Sequence, residues 1–245
     1  MLYYKVETGY MNKKELNRYA RQTMLPEIGT AGQEKIKQTK VLVIGAGGLG
    51  APVLQYLNAA GVGTIGIVDN DTVSETNLQR QVLYSTEDID QPKAEIASNK
   101  LSELNQHCTI HCYKERLDES NAPALVGKYN LVVDCTDNFT SRYLLDDVCE
   151  KLEKPLVYGS IEEFSGQVSV FHYDKGVSYK KLFPDRPEER KMNGEPLGVF
   201  GAIPGVIGSL QASEVLKIIT GAGDVLSGRL LLYDALKPGI QIVNF

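Results

Sequence analysis

An unbroken apolar run, Val41-Leu42-Val43-Ile44, leads directly into Gly45-Ala46-Gly47-Gly48-Leu49-Gly50. A buried strand that ends in glycines and reopens as a helix presents backbone amides to an anion at the helix N-terminus. The next apolar, β-branched run, Thr64–Val68, ends in Asp69, nineteen positions past Gly50. An acid is expected there when a ribose hydroxyl must be held. Strand, turn, helix and acid therefore fall in register for a nucleotide site, and a merely tight turn explains less of the pattern.

The rhythm continues as strands alternating with helices. A helix is expected from about Ala51 to Ala60, another from Pro92 to Asn105, and a third from about Phe139 to Lys151. Strands are expected at Thr109–Tyr113, Leu131–Val133 and Leu156–Tyr158. Several unbroken apolar runs of this kind imply a mostly parallel, Rossmann-like α/β sheet with helices on both faces. After Gly159 the pattern changes: Gln167–Phe171 and Arg229–Tyr233 read as strands without helical crossovers, so an antiparallel C-terminal extension is expected. A last helix is expected over Val206–Thr220. The stretch 172–197 carries mixed charge with Pro184, Pro187 and Pro196 and reads as a long functional or mobile loop. At the other end, Asn12 followed by Glu15 is a capping signature, and a polar helix through Leu16, Tyr19 and Ala20 follows. Pro26 and Gly29 break it, and a short helix follows near 33–38. This arm is too thinly apolar to stand alone and is expected to pack on a neighbour.

The polar residues beyond the second strand narrow the ligand. Asn77, Arg80 and Gln81 are followed by Lys93, more positive and amide groups than a dinucleotide's pyrophosphate requires. They suit the greater charge of ATP and a departing pyrophosphate. Singly, each has a plainer reading, Arg80 as a surface charge and Lys93 as the polar face of its helix. Asp134 and Asp137 close the fourth strand, on the side of a parallel sheet where ligands bind. Asp137 is read as a Mg2+ ligand, with a helix N-cap as the plainer alternative. Asp134 receives no role. His107-Cys108 and His111-Cys112 suggest a metal site, but residues four apart on a strand are roughly 13 Å from each other, too far for one ion.

Composition supports this reading. The chain has 245 residues, 42% hydrophobic and 23% charged, with a net charge of −5, which argues against nucleic acid as the main partner. No run is long enough to span a membrane, no signal-peptide pattern opens the chain, and four cysteines lack any C-x-x-C pair. A cytoplasmic protein with reduced thiols is expected.

Arg18-Tyr19-Ala20-Arg21-Gln22, the glycine turn, Asp69-Asn70-Asp71, Asn77-Leu78-Gln79-Arg80-Gln81, Gln91-Pro92-Lys93, Asp134-Cys135-Thr136-Asp137-Asn138 and Gly205-Val206-Ile207-Gly208 occur in an order that resembles the ThiF/MoeB/HesA family, bacterial relatives of ubiquitin-activating enzymes. The resemblance covers about Leu16 to Pro238. It implies a single adenylation domain over 1–245, comprising a helical arm (11–38), a nucleotide-binding half (40–160) and a carrier-binding half (161–245) with a crossover loop at 172–197. It also implies ATP-dependent adenylation of the C-terminal glycine of a small β-grasp sulfur carrier ending in Gly-Gly, for thiamin or molybdopterin synthesis.

By the same resemblance, Gly45, Gly47, Gly48, Gly50 and Asp69 hold the nucleotide. Asn77, Arg80 and Lys93 hold the phosphates, Gln81 is a further cofactor-binding residue, Asp137 holds Mg2+, and Arg21 reaches into the other subunit of a homodimer. Ser178 and Lys181 stand where many members carry the first of two zinc-binding C-x-x-C pairs, and no second pair precedes Phe245, so zinc is not expected. Gly194 occupies a position where some members have a loop cysteine, which implies a separate sulfur donor. A tRNA threonylcarbamoyladenosine dehydratase, an NAD-dependent oxidoreductase and a non-enzymatic nucleotide sensor are the competing readings. The Arg18–Gln22 arm and the acidic net charge count against the first. The absence of an evident hydride-transfer site counts against the second, and Lys93 and Asp137 against the third.

Overall fold

The computed structural model describes residues 11–174, 176–185, 191–192, 195–196, 198–237 and 239–245. The arm comprises α1 (Lys13–Arg18), α2 (Ala20–Thr23) and α3 (Gly29–Gln38). The chain continues as β1 (Lys40–Ile44), α4 (Gly50–Ala60), β2 (Thr64–Val68), α5 (Lys93–Leu104), β3 (Thr109–Tyr113), α6 (Ala122–Val126), β4 (Leu131–Asp134) and α7 (Phe139–Lys151). The remainder is β5 (Leu156–Glu162), β6 (Ser165–Phe171), α8 (Tyr179–Leu182), the short ladder β7 (Lys191–Met192) and β8 (Glu195–Pro196), α9 (Ile203–Thr220), β9 (Arg229–Asp234) and β10 (Ile240–Asn244).

Eight strands form one sheet in the order β10-β9-β6-β5-β4-β1-β2-β3. The five from β5 to β3 run parallel, and β6, β9 and β10 continue the sheet antiparallel. The strand order reverses between β1 and β4, so the crevice beyond their carboxyl ends is the switch point where such sheets bind ligands. Alternation along each strand divides the core. Val41, Val43, Leu131 and Val133 face α4, α5 and α9, while Leu42, Ile44 and Val132 face α6 and α7.

Four differences from the sequence reading have physical causes. The arm helix breaks at Tyr19, because that ring is buried against Gly61 and its hydroxyl accepts from Asn105 Nδ2 at 2.9 Å. Helix α9 begins at Ile203, three residues early, since Pro204 is tolerated in a first turn. His107 and Cys108 precede β3 instead of lying on it, with Cys108 Sγ donating to Asn58 O. The segment 172–197, read as loop, contains the helical turn α8 and the β7–β8 ladder. Its Gly194 and 186–190 lie outside the described residues, as do residues 1–10. Strand β10 and helix α6 went unread, one exposed throughout and the other too short to show a period.

The arm's cap supplies a pH-dependent contribution. Asn12 Oδ1 accepts from the Lys14 and Glu15 amides, Glu15 Oε2 accepts from Asn12 N at 2.8 Å, and Lys37 pairs with Glu15 at 2.8 Å. Burial pushes the Glu15 carboxyl up, but Lys37 and the Asn12 amide outweigh it, leaving Glu15 below its ordinary 4.5. A lowered folded-state pKa gives stability that is present above the unfolded value and lost as pH falls through the folded one. Glu15→Ala should therefore cost about 1–2 kcal/mol at pH 7 and progressively less below pH ~4, read from denaturant midpoints.

Candidate active site

The turn after β1 is built by close approach. Gly45 has φ +94°, and a Cβ there would stand 2.7 Å from the Cys135 carbonyl oxygen. A Cβ on Gly50 would stand 2.0 Å from the carbonyl oxygen of Gly45. The chain thus folds back on itself to open α4 at the switch point. Asp69 fixes this turn from β2: its Oδ2 accepts from Ala46 N at 2.7 Å and its Oδ1 from Asp71 N at 2.8 Å. Burial outweighs those two amides and raises the Asp69 carboxyl above its ordinary value. Tyr84, which sequence reasoning missed, donates from its hydroxyl to Ala46 O at 2.7 Å and ties the turn down from a third side. An isolated tyrosine in a polar stretch gives no periodic signal that could have found it.

Arg80 and Gln81 stand over the turn. Gln81 Nε2 lies 3.4 Å from where a Gly47 Cβ would be, and Arg80 Cγ lies 3.8 Å from the same point on Gly48. The Arg80 and Gln81 amides both donate to Asn77 O, so a single tight turn carries all three residues. Arg80 Nη1 donates to Thr76 O at 3.0 Å, and Asn77 is half-buried. Gln81 is buried and its Oε1 has no hydrogen-bond partner among the described residues. A buried unpaired amide oxygen is costly, which singles Gln81 out among the residues beside the turn.

Lys93 opens α5 after Pro92, yet it does not occupy a polar surface: it is 5% exposed. Its Nζ donates to Asp71 Oδ2 at 3.0 Å, its backbone amide donates to Asp71 O, and it lies close enough to Asp69 to lower that carboxyl's pKa. An ammonium has three donors, and among the described residues Asp71 takes one of them.

At the end of β4, Asp134 is buried. Its Oδ1 accepts from the Thr136 amide at 2.9 Å and the Thr136 hydroxyl at 2.6 Å, while its Oδ2 has no partner among the described residues. Gln211, fully buried on α9, donates to Asp134 O at 2.7 Å. A polar residue on an otherwise apolar helix face was its only sequence signal. The N-cap of α7 is Asn138, whose Oδ1 accepts from Ser141 N at 2.9 Å, so the capping reading of Asp137 fails. Asp137 is exposed, and its carboxylate has a weak 3.5 Å contact from Asn138 Nδ2.

Arg21 is exposed and far from these groups in its own chain. The neighbouring Gln22 donates to Ala60 O at 3.3 Å, at the end of α4 remote from the turn. The 11 residues of α4 span roughly 16 Å. The structure therefore gathers Gly45–Gly50, Asp69, Asn77, Arg80, Gln81, Lys93 and the Asp137 loop at one crevice, without Arg21.

Residues 19–245 match the ThiF family model. The chain belongs to the ThiF family. It is 50% identical over 94% of its length to a sulfur carrier protein adenylyltransferase of Thermus thermophilus, of which it covers 87%. It is 44% identical over 98% of its length to a probable molybdopterin-synthase adenylyltransferase of Porphyra purpurea, covering 64% of that protein. It is also 47% identical over 91% of its length to the adenylyltransferase and sulfurtransferase MOCS3 of Drosophila sechellia, spanning half of that longer protein. The ThiF-family fold is shared with E. coli MccB, solved with ATP, at a TM-score of 0.81 and 23% identity over 98% of this chain and 73% of that one. No helix among the described residues is long and apolar enough to cross a membrane.

Proposed function

We propose that the protein adenylates the C-terminal glycine of a small β-grasp sulfur carrier ending in Gly-Gly, in the cytoplasm, for thiamin or molybdopterin synthesis. The observation that carries this reading is the near-full-length likeness to a sulfur carrier protein adenylyltransferase, with Arg80, Gln81 and Lys93 gathered at the glycine turn. The carrier carboxylate attacks the α-phosphorus of ATP, one new P–O bond forms, and the bond to pyrophosphate breaks. The acyl-adenylate stays on the carrier and the pyrophosphate takes the negative charge.

This chain's residues divide that work. The amides of Gly47, Gly48 and Gly50 at the start of α4 receive phosphate oxygens. Arg80, Asn77 and the Lys93 ammonium neutralise charge that grows on the leaving pyrophosphate. Asp69 does not repel the phosphates strongly, because both its oxygens are engaged by backbone amides. Its remaining lone pairs accept from the ribose. Gln81 Oε1 completes the nucleotide contacts. The residues present fit Mg2+: Asp137 offers an exposed carboxylate to a hard cation that typically binds through one or two carboxylates and substrate phosphates. Mg2+ when bound supplies further neutralisation of the phosphates.

Arg21 acts across a homodimer, since its own site lies beyond the far end of α4. A structural zinc has no part in the reading: Ser178 serves as the N-cap of α8, accepting from Lys181 N at 3.3 Å. The sulfur comes from a separate donor. Exchange of labelled pyrophosphate into ATP should require both a Gly-Gly carrier and Mg2+, and removing the two terminal glycines should abolish it. Exchange supported by a small-molecule acid but by no carrier would overturn the assignment.

A further inference from the structure

Tyr84 joins three segments that bring residues to the crevice, and the reaction above gives it no part. It closes the turn that carries Asn77, Arg80 and Gln81: the Arg80 and Gln81 amides donate to Asn77 O, and the Tyr84 amide donates to Gln81 O at 3.0 Å. The residue is 7% exposed and belongs to the core cluster that includes Leu49, Val73, Ala94 and Ala97. Its hydroxyl donates to Ala46 O at 2.7 Å and lies 3.3 Å from Lys93 O. The glycine turn, the 77–84 turn and the first residue of α5 therefore meet at one oxygen.

The bond to Ala46 O fixes a direction. Gly45 N donates to Val68 O at 2.8 Å, Ala46 N donates to Asp69 Oδ2 at 2.7 Å, and Gly47 O accepts from Ala51 N at 2.9 Å. The peptides on either side of the one joining Ala46 to Gly47 are thus held by their own partners. Tyr84 holds that central peptide through its carbonyl. The peptide is trans and planar, so its N–H points opposite to its carbonyl. A carbonyl drawn to the Tyr84 hydroxyl turns the Gly47 N–H the other way, as reception of an anion at the start of α4 requires. The hydroxyl also keeps its proton. Burial pushes the phenol up from its ordinary value, and the charges on Asp69 and Asp88 push it the same way. Tyr84 therefore stays a hydrogen-bond donor through the neutral range and is neither acid nor base in the reaction.

We propose that Tyr84 is a positioning residue for ATP: through Ala46 O it aims the Gly47 N–H at the phosphates, and through Lys93 O it keeps the start of α5 in step with the glycine turn. The inference rests on the nucleotide half of the reading above and is independent of the carrier. Removing the hydroxyl frees the central peptide to rotate, so alignment to phosphate is lost while the nucleoside keeps its contacts.

The test uses the full chain and Tyr84→Phe, which keeps a ring in the core and removes the donor. Equilibrium dialysis gives Kd for Mg-ATP and for adenosine, and carrier-dependent pyrophosphate exchange gives KM for ATP and for the carrier. Loss of one hydrogen bond corresponds to about tenfold in an equilibrium constant, so Tyr84→Phe should weaken Mg-ATP binding about tenfold and leave adenosine binding within about twofold. General loosening of the fold would not produce that split. KM for ATP should rise by the same factor, while KM for the carrier stays unchanged. A second measurement needs no variant: in amide NMR spectra of the wild-type protein, Mg-ATP should shift the Gly47 amide downfield and adenosine should leave it in place. If Tyr84→Phe does not fold, this measurement decides alone. Equal weakening of both ligands, unchanged affinity for both, or a Gly47 amide that Mg-ATP does not move would overturn the proposal. Wild-type protein that binds Mg-ATP but shows no carrier-dependent exchange would sink the functional reading, and the dialysis and NMR results would still decide the role of Tyr84.

Discussion

Lys93→Ala should lower carrier-dependent pyrophosphate exchange by about 10²–10³-fold, the usual cost of removing one donor aimed at developing charge. The geometry makes this a test of chemistry and not of folding. The partner of Lys93, Asp71, keeps a side chain 62% exposed, and the more buried Asp69 keeps its two backbone amide donors, so the substitution leaves no carboxylate without partners. The stability cost should be about 1 kcal/mol, mostly from lost packing of the buried stem. Arg80→Ala should behave similarly, because Arg80 gives up a single described bond, to the backbone of Thr76. Exchange rates that survive both substitutions would remove these residues from the phosphate site.

The second large effect falls on the turn itself. Gly50→Ala places a methyl 2.0 Å from the carbonyl oxygen of Gly45, and the obstacle is backbone, which cannot swing aside. The turn would have to be rebuilt at a cost on the order of 3 kcal/mol. The anion site at the start of α4 would move with it. ATP binding, measured by equilibrium dialysis on the fraction that folds, should fall below detection. Folded Gly50→Ala protein with undiminished ATP affinity would show that the nucleotide lies elsewhere.

Much of this was legible in the sequence for identifiable reasons. The strands β1, β2 and β4 are buried on both faces, so they read as unbroken apolar runs, and the glycines between β1 and α4 are demanded by backbone contacts that no side chain permits. The polar set Asn77, Arg80, Gln81 stood out because it interrupts that pattern. What could not be read depends on long-range closure. Lys93 is buried because Asp71 turns back to meet it across 22 residues. The N-cap of α7 fell to Asn138 and not to its neighbour Asp137, a choice between adjacent capable residues that backbone direction decides. Asp146 looked like an ordinary polar position on a helix; its partners at 172, 179 and 180 lie in a segment with no periodicity of its own. Strand β10 pairs with β9 along its whole length, yet Ile240, Ile242 and Val243 stay about half exposed, so no burial pattern announced it.

The central claim is that ATP is split at its α-phosphate by a protein carboxylate. Intact-mass spectrometry of a Gly-Gly carrier incubated with the protein, ATP and Mg2+ tests it directly. The account predicts a carrier heavier by one adenylyl group, with release of pyrophosphate. An unmodified carrier alongside ADP and free phosphate would contradict it.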